Sequence, residues 1–245
     1  MKKRLLLISN STNAGEEYLG WPRGLITDFM SGTGVTRILF IPWAGVNLVP
    51  DGVPASYDIY EDKVNSVFRL LGLEVYSIHR MADPVKAVEE AQAIAVGGGN
   101  TFHLVYMLHK SGILPRLKER VESGMHFMGW SAGANMACPT LRTTNDMPII
   151  QPASFNCLNL IPFQINPHYL DAHPHGHGGE TREQRLNEFL AVNREVTVAG
   201  LREATALLVE NGKINLLGSR PMRVFHYGQD PVEYQPGEDI GFLLE

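Results

Sequence analysis

Five strand-sized apolar runs punctuate the first two-thirds of the chain, and each is separated from the next by a stretch with helical spacing. The runs are RLLLIS, RILFIP, LEVYSI, AIAVGG and HFMGWS. Their apolar content is almost unbroken, which suits parallel strands buried on both faces. Parallel neighbours need a crossover long enough to hold a helix, and the intervening segments supply one. Between Tyr57 and Leu71, the residues Tyr60, Val64, Val67 and Leu71 recur at spacings of four, three and four, along one helical face. Asp83-Pro84 supplies a cap followed by proline at the first helical position. The expected fold is therefore α/β, with a doubly wound, mostly parallel sheet.

The last third reads differently. Thr181-Arg182-Glu183-Gln184 follows Gly178-Gly179 as a capping box, opening a helix that carries Leu186, Phe189 and Leu190. Then come EVTVAGL, ATALLVENG, KINLLGS and MRVFHYG, with Asn211-Gly212 as a hairpin signal between two of them. An antiparallel β edge is expected to close the sheet. With 245 residues, 44% hydrophobic, and no linker, repeat or low-complexity segment, residues 1–245 are expected to form a single catalytic domain.

Charge narrows the partners. A net charge of -5, without a Lys/Arg run, leaves no electrostatic footprint for nucleic acid. No apolar run approaches the length of about 20 residues that spans a bilayer. MKKRLLLISNST begins like a signal peptide, but Ser9, Asn10 and Ser11 end its apolar part too early, so it reads as a first strand of a cytoplasmic protein. Cys138 and Cys157 make no spaced framework and read as reduced, buried thiols.

The sharpest local signal is Gly129-Trp130-Ser131-Ala132-Gly133, between the apolar HFM and the helix-compatible ANMA. Gly-x-Ser-x-Gly between strand and helix lifts a serine hydroxyl above a sheet, and its strained turn needs small neighbours. It also presents the Ala132 N–H to a developing oxyanion. The competing reading is a glycine-rich turn with an idle serine. Val96-Gly97-Gly98-Gly99-Asn100-Thr101 occupies a second strand-to-helix junction. A phosphate cradle is disfavoured there, because Phe102 breaks Gly-x-Gly-x-x-Gly and no Walker lysine follows. The better reading makes Gly99 the second oxyanion donor, across adjacent strand ends.

A serine nucleophile needs a base. Of nine histidines, His79, His103, His109, His126 and His226 lie within strand or helix patterns and read as structural. His173, His175 and His177 alternate in a Pro/Gly-rich segment without further metal signatures, so no metal is expected. His168, after Asn166-Pro167 at a strand end, is the best placed base. Asp146 and Glu203 both sit at apparent element ends, and either suits the acid that orients the imidazole.

In this order and spacing, GGGNTF, GWSAGAN with CPT, RTTNDMPI, QINPH and GETREQR resemble the α-aspartyl dipeptidases of serine peptidase family S51. The likeness runs from SNST to about Leu208, weakens after Gly212, and meets an insertion-like stretch from Asn47 to Ser56. It implies hydrolysis of Asp-Xaa dipeptides, no cofactor, and a flavodoxin-like fold of the class I glutamine amidotransferase type. By position it implies Ser131 as nucleophile, His168 as base, Asp146 or Glu203 as acid, and Gly99 and Ala132 as oxyanion-hole donors. It also implies that Asn100 and Arg182 bind the substrate aspartyl side chain. Arg182 has a competing reading as a surface charge paired with Glu180 or Glu183. The expected partner is a small peptide, with no nucleic acid or membrane, on a monomer or homodimer. Two other functions compete: a cyanophycinase-like serine hydrolase of β-aspartyl bonds, and a non-enzymatic α/β module whose glycine loops hold an anion.

Overall fold

The computed structural model describes residues 3–171, 176 and 178–245. The five apolar runs form β1 (Arg4–Ile8), β2 (Arg37–Ile41), β3 (Glu74–Ser77), β4 (Ala93–Val96) and β5 (His126–Trp130). The helices between them are α1 (Arg23–Met30), α2 (Val53–Leu70), α3 (Pro84–Glu90), α4 (Thr101–Ser111) and α5 (Leu114–Glu122). Asp83 caps α3 by accepting from the Lys86 N–H, as its place before Pro84 predicts. After β5 follow α6 (Ala132–Asn135), β6 (Gln164–Tyr169) and α7 (Arg182–Val192). The chain closes with β7 (Val198–Arg202), β8 (Thr205–Glu210), β9 (Lys213–Gly218), β10 (Met222–Phe225) and β11 (Val232–Tyr234).

The main sheet has seven strands in the order β3-β2-β4-β5-β1-β8-β9. The first five are parallel, and β8 and β9 join antiparallel to β1. The hairpin between β8 and β9 turns at Asn211 and Gly212, both at positive φ as a type I′ turn requires. Alternation along the strands divides the core. Leu5, Leu7, Ile94, Val96 and Phe127 face one side with Val88, Leu104 and Leu117 of α3, α4 and α5. Leu6, Ile8, Ala95 and Met128 face the other with Ile26, Val64 and Phe68 of α1 and α2.

The expected antiparallel edge is therefore present, but it uses only β8 and β9. EVTVAGL and MRVFHYG do not extend it. They enter a second, four-stranded sheet, β11-β10-β7-β6, in which β6 and β7 run parallel. The chain changes sheet at Glu203-Ala204, where Ala204 takes a left-handed φ of 62° and its N–H donates to Asn10 Oδ1 at 2.9 Å. Apolar content alone gave no sign of this break, since strands of either sheet bury alike. The two sheets bring the ends of β1, β4, β5, β6 and β7 to one place.

Candidate active site

Ser131 follows β5 with φ 55° and ψ -113°, a backbone conformation that non-glycine residues rarely adopt. Its N–H donates to the Ile8 carbonyl at 2.9 Å, while its own carbonyl accepts from Ala134 and Asn135 and starts α6. The flanking glycines are sterically required. A Cβ on Gly129 would run into the Gly133 carbonyl, and one on Gly133 into the Val96 carbonyl of the neighbouring strand.

His168 reaches this serine from the second sheet. Its Nε2 lies 3.0 Å from Ser131 Oγ, and its Nδ1 lies 3.0 Å from Glu203 Oε1. The residue is the last but one of β6, near the strand end its sequence position implied, in an irregularity of register between Asn166 and Tyr169 with φ 51°. Pro167 has no N–H to give the ladder, which permits the bulge and turns the imidazole towards Ser131. The His168 N–H donates to Ser9 Oγ at 3.0 Å, and Ser9 Oγ–H donates to the Leu201 carbonyl at 2.8 Å. Ser9 and Asn10 are fully buried immediately after β1. They tie His168 and the Glu203-Ala204 turn to the main sheet. Sequence reasoning gave them no role, although two polar residues directly after a buried strand were a usable signal.

Asp146 stands elsewhere. Its Oδ2 accepts from the Thr101 N–H at 2.7 Å, Thr101 Oγ1 at 2.6 Å and Thr144 Oγ1 at 3.0 Å. It anchors the start of α4, while the imidazole takes Glu203.

The glycine loop after β4 passes close to the serine. Gly99 has φ 135°, and a Cβ there would strike the Ala44 carbonyl. The Gly97 N–H donates to Ile41 and the Asn100 N–H to Ala44. The Gly99 and Ala132 N–H groups donate to no protein acceptor among the described residues. Beneath the loop, buried Tyr60 donates to the Gly98 carbonyl at 2.9 Å and accepts from Trp130 Nε1 at 3.0 Å, which joins the two strand ends.

Two cavities meet at Ser131 and His168. The smaller, about 270 Å³, is also lined by Thr144, Asn145, Asp146 and Arg182. Arg182 opens α7 behind the Thr181 cap and donates to Asn145 Oδ1. Its predicted alternative partners are engaged elsewhere: Glu180 with Arg185 at 3.2 Å and Glu183 with Arg223 at 2.7 Å. The surface-pair reading of Arg182 is therefore not what the structure contains. Burial, with the Arg185 charge adding to it, holds the Arg182 pKa below the usual arginine value.

Asn100 departs from expectation. It lines the other cavity, of about 480 Å³. Both ends of its amide are committed: Oδ1 accepts from the His103 N–H at 3.0 Å, and Nδ2 donates to the Met147 carbonyl at 2.9 Å. As the cap of α4 it is spent on local structure and does not share a pocket with Arg182.

His173, His175 and His177 lie outside the described residues. Among the described residues, Asp58, Glu61 and His79 are close enough together to share a cation, but Arg80 already fills that role at 2.7 Å from Asp58 and 2.6 Å from Glu61. Burial pushes the Cys138 thiol up to about 12, so it is no competing nucleophile.

Comparison with known proteins gives the family and the fold. The family model described as "Peptidase family S51" matches residues 5–217. The chain is 47% identical to a peptidase E of Nostoc over 245 residues, covering all of this chain and 98% of that protein. It is 46% identical to a peptidase E of Salmonella typhimurium over 233 residues, covering 95% and 98%. The crystal structure of a peptidase from an acI-B1 Actinobacterium superposes with a TM-score of 0.69 at 18% identity, covering 98% of this chain and 97% of that one. That likeness carries the flavodoxin-like fold.

Proposed function

Because the chain belongs to peptidase family S51, we propose that it is a serine exopeptidase that removes N-terminal aspartate from dipeptides through an acyl-enzyme on Ser131. The observation that carries this reading is the continuous run from Ser131 Oγ through His168 to Glu203, with 3.0 Å at both junctions. His168 Nε2 takes the hydroxyl proton as Oγ attacks the scissile carbonyl. Nδ1–H donates to Glu203, which holds the tautomer and stabilises the imidazolium. The carbonyl oxygen becomes an oxyanion and accepts from the Gly99 and Ala132 N–H groups. Nε2–H then passes its proton to the leaving amine. Water attacks the ester by the same route and releases aspartate. Every proton moves on the chain's own residues, so this sequence calls for no cofactor.

Specificity follows from charge. An aspartyl side chain entering the smaller cavity loses water, which is costly unless a cation meets it. Half-buried Arg182 offers a planar fork that binds a carboxylate bidentately. Asp146 serves by holding Thr101 and Thr144 around that cavity. The unbridged Cys138 and Cys157 support a reducing, cytoplasmic setting.

Turnover of Asp-Leu, iso-Asp-Leu and acetyl-Asp-Leu tests the proposal. Cleavage of Asp-Leu alone is expected. Preference for iso-Asp-Leu would move the enzyme to β-aspartyl bonds, and cleavage of the acetylated peptide would remove the exopeptidase reading.

A further inference from the structure

We infer that Lys63 binds the C-terminal carboxylate of the leaving residue, in the larger cavity beside Ser131; this rests on the activity proposed above. The two cavities share Ser131 and His168. With the aspartyl residue held by Arg182 in the smaller one, the leaving residue extends to the other side of the scissile bond, because a trans peptide points its two substituents apart. That side is the larger cavity, bounded by Gly98 and Gly99.

Val46, Asn47 and Leu48 form part of its wall, the last two belonging to the insertion-like stretch from Asn47 to Ser56. The wall is built rather than loose, since the Leu48 N–H donates to the buried Ser56 Oγ at 3.0 Å. Among the described lining residues Lys63 is the one lysine, with no arginine and no carboxylate. Lys63 lies on α2, and its Nζ sits 4.2 Å over the Tyr18 ring, which lines the same cavity. A cation–π contact keeps an ammonium at that rim without neutralising it. A dipeptide always brings one anion to this side, the carboxylate of its leaving residue. A cavity whose described lining holds one permanent cation and no competing acid is complementary to that anion. Arg182 and Lys63 would then read the two ends of one substrate, which selects dipeptides over longer or amidated chains.

The test measures kcat and KM for Asp-Leu and Asp-Leu-amide with the wild type, Lys63→Met and Lys63→Arg. Methionine keeps an apolar stem of similar length without the charge. The wild type should prefer the acid. Lys63→Met should shrink that preference about fivefold, the scale of one exposed charge pair, through a higher KM for the acid. Lys63→Arg should keep the preference, and high salt should compress it in the wild type. A wild type that cleaves acid and amide alike, or a preference unchanged in Lys63→Met, overturns the assignment of Lys63 while leaving the peptidase reading intact. A wild type that cleaves neither overturns both.

Discussion

Replacing Glu203 by glutamine keeps the size of the side chain and removes its charge at the moment His168 becomes an imidazolium. The two groups stand 3.0 Å apart at their nearest atoms, with side chains 40% and 45% exposed. Charges about 4 Å apart attract by roughly 1 kcal/mol in bulk water and roughly 4 kcal/mol near a protein surface of intermediate dielectric. Nearly half-exposed partners fall between these limits, at about 2.7 kcal/mol. At about 1.36 kcal/mol per decade, kcat should fall about 100-fold. That is less than the roughly 10⁴-fold loss of a fully enclosed triad acid, because water here screens part of the charge. The control is Asp146→Asn. Its carboxylate accepts three hydrogen bonds at the start of α4, so this change should cost about 1–3 kcal/mol of stability and less than about tenfold in kcat. The assay is kcat at saturating Asp-Leu, paired with urea unfolding of each variant. A near-normal kcat for Glu203→Gln beside a larger loss for a well-folded Asp146→Asn would refute this assignment of the acid.

Three further outcomes are expected. Ser131→Ala should lose kcat on the order of a millionfold with its unfolding midpoint little changed, since alanine keeps the Cβ the turn already accommodates; single-turnover measurement on Asp-Leu checks this. Arg182→Ala should lose about 3 kcal/mol, some 150-fold, in kcat/KM for Asp-Leu, the low end for a deleted pair because Arg182 is only half-buried; lysine should rescue only in part, lacking the planar fork. An unchanged Asp-over-Asn preference would move the clamp to another cation. Ser9→Ala strips the acceptor from the His168 N–H and should lower kcat about tenfold at constant KM, with a stability loss of about 1–3 kcal/mol; a shift in KM alone would show that Ser9 acts on binding instead.

The strand-to-helix junctions were legible because each is local. Gly129 through Gly133, and Gly97 through Asn100, carry their geometry in consecutive residues, and the structure supplies the reason in carbonyls that no Cβ can approach. The parallel core was legible for a similar reason, since Leu5 to Ile8 and Ile38 to Ile41 are apolar at every position and so must be covered on both faces. The capping box at Thr181 and the turn at Asn211-Gly212 are likewise short-range chemistry. What the sequence left open was long-range. Asp146 and Glu203 are both carboxylates at element ends, and only the break between β7 and β8 turns Glu203 to the imidazole while Thr101 captures Asp146. Asn100 and Arg182 looked like partners until packing put them in different cavities, both of which reach Ser131. Ser9, 159 residues from His168 along the chain, gained its role when the second sheet docked on the first. Residue type and spacing determine which bonds a side chain is able to make, but buried hydrogen bonds are exclusive, and the choice among able partners belongs to the tertiary structure that brings one of them within about 3 Å.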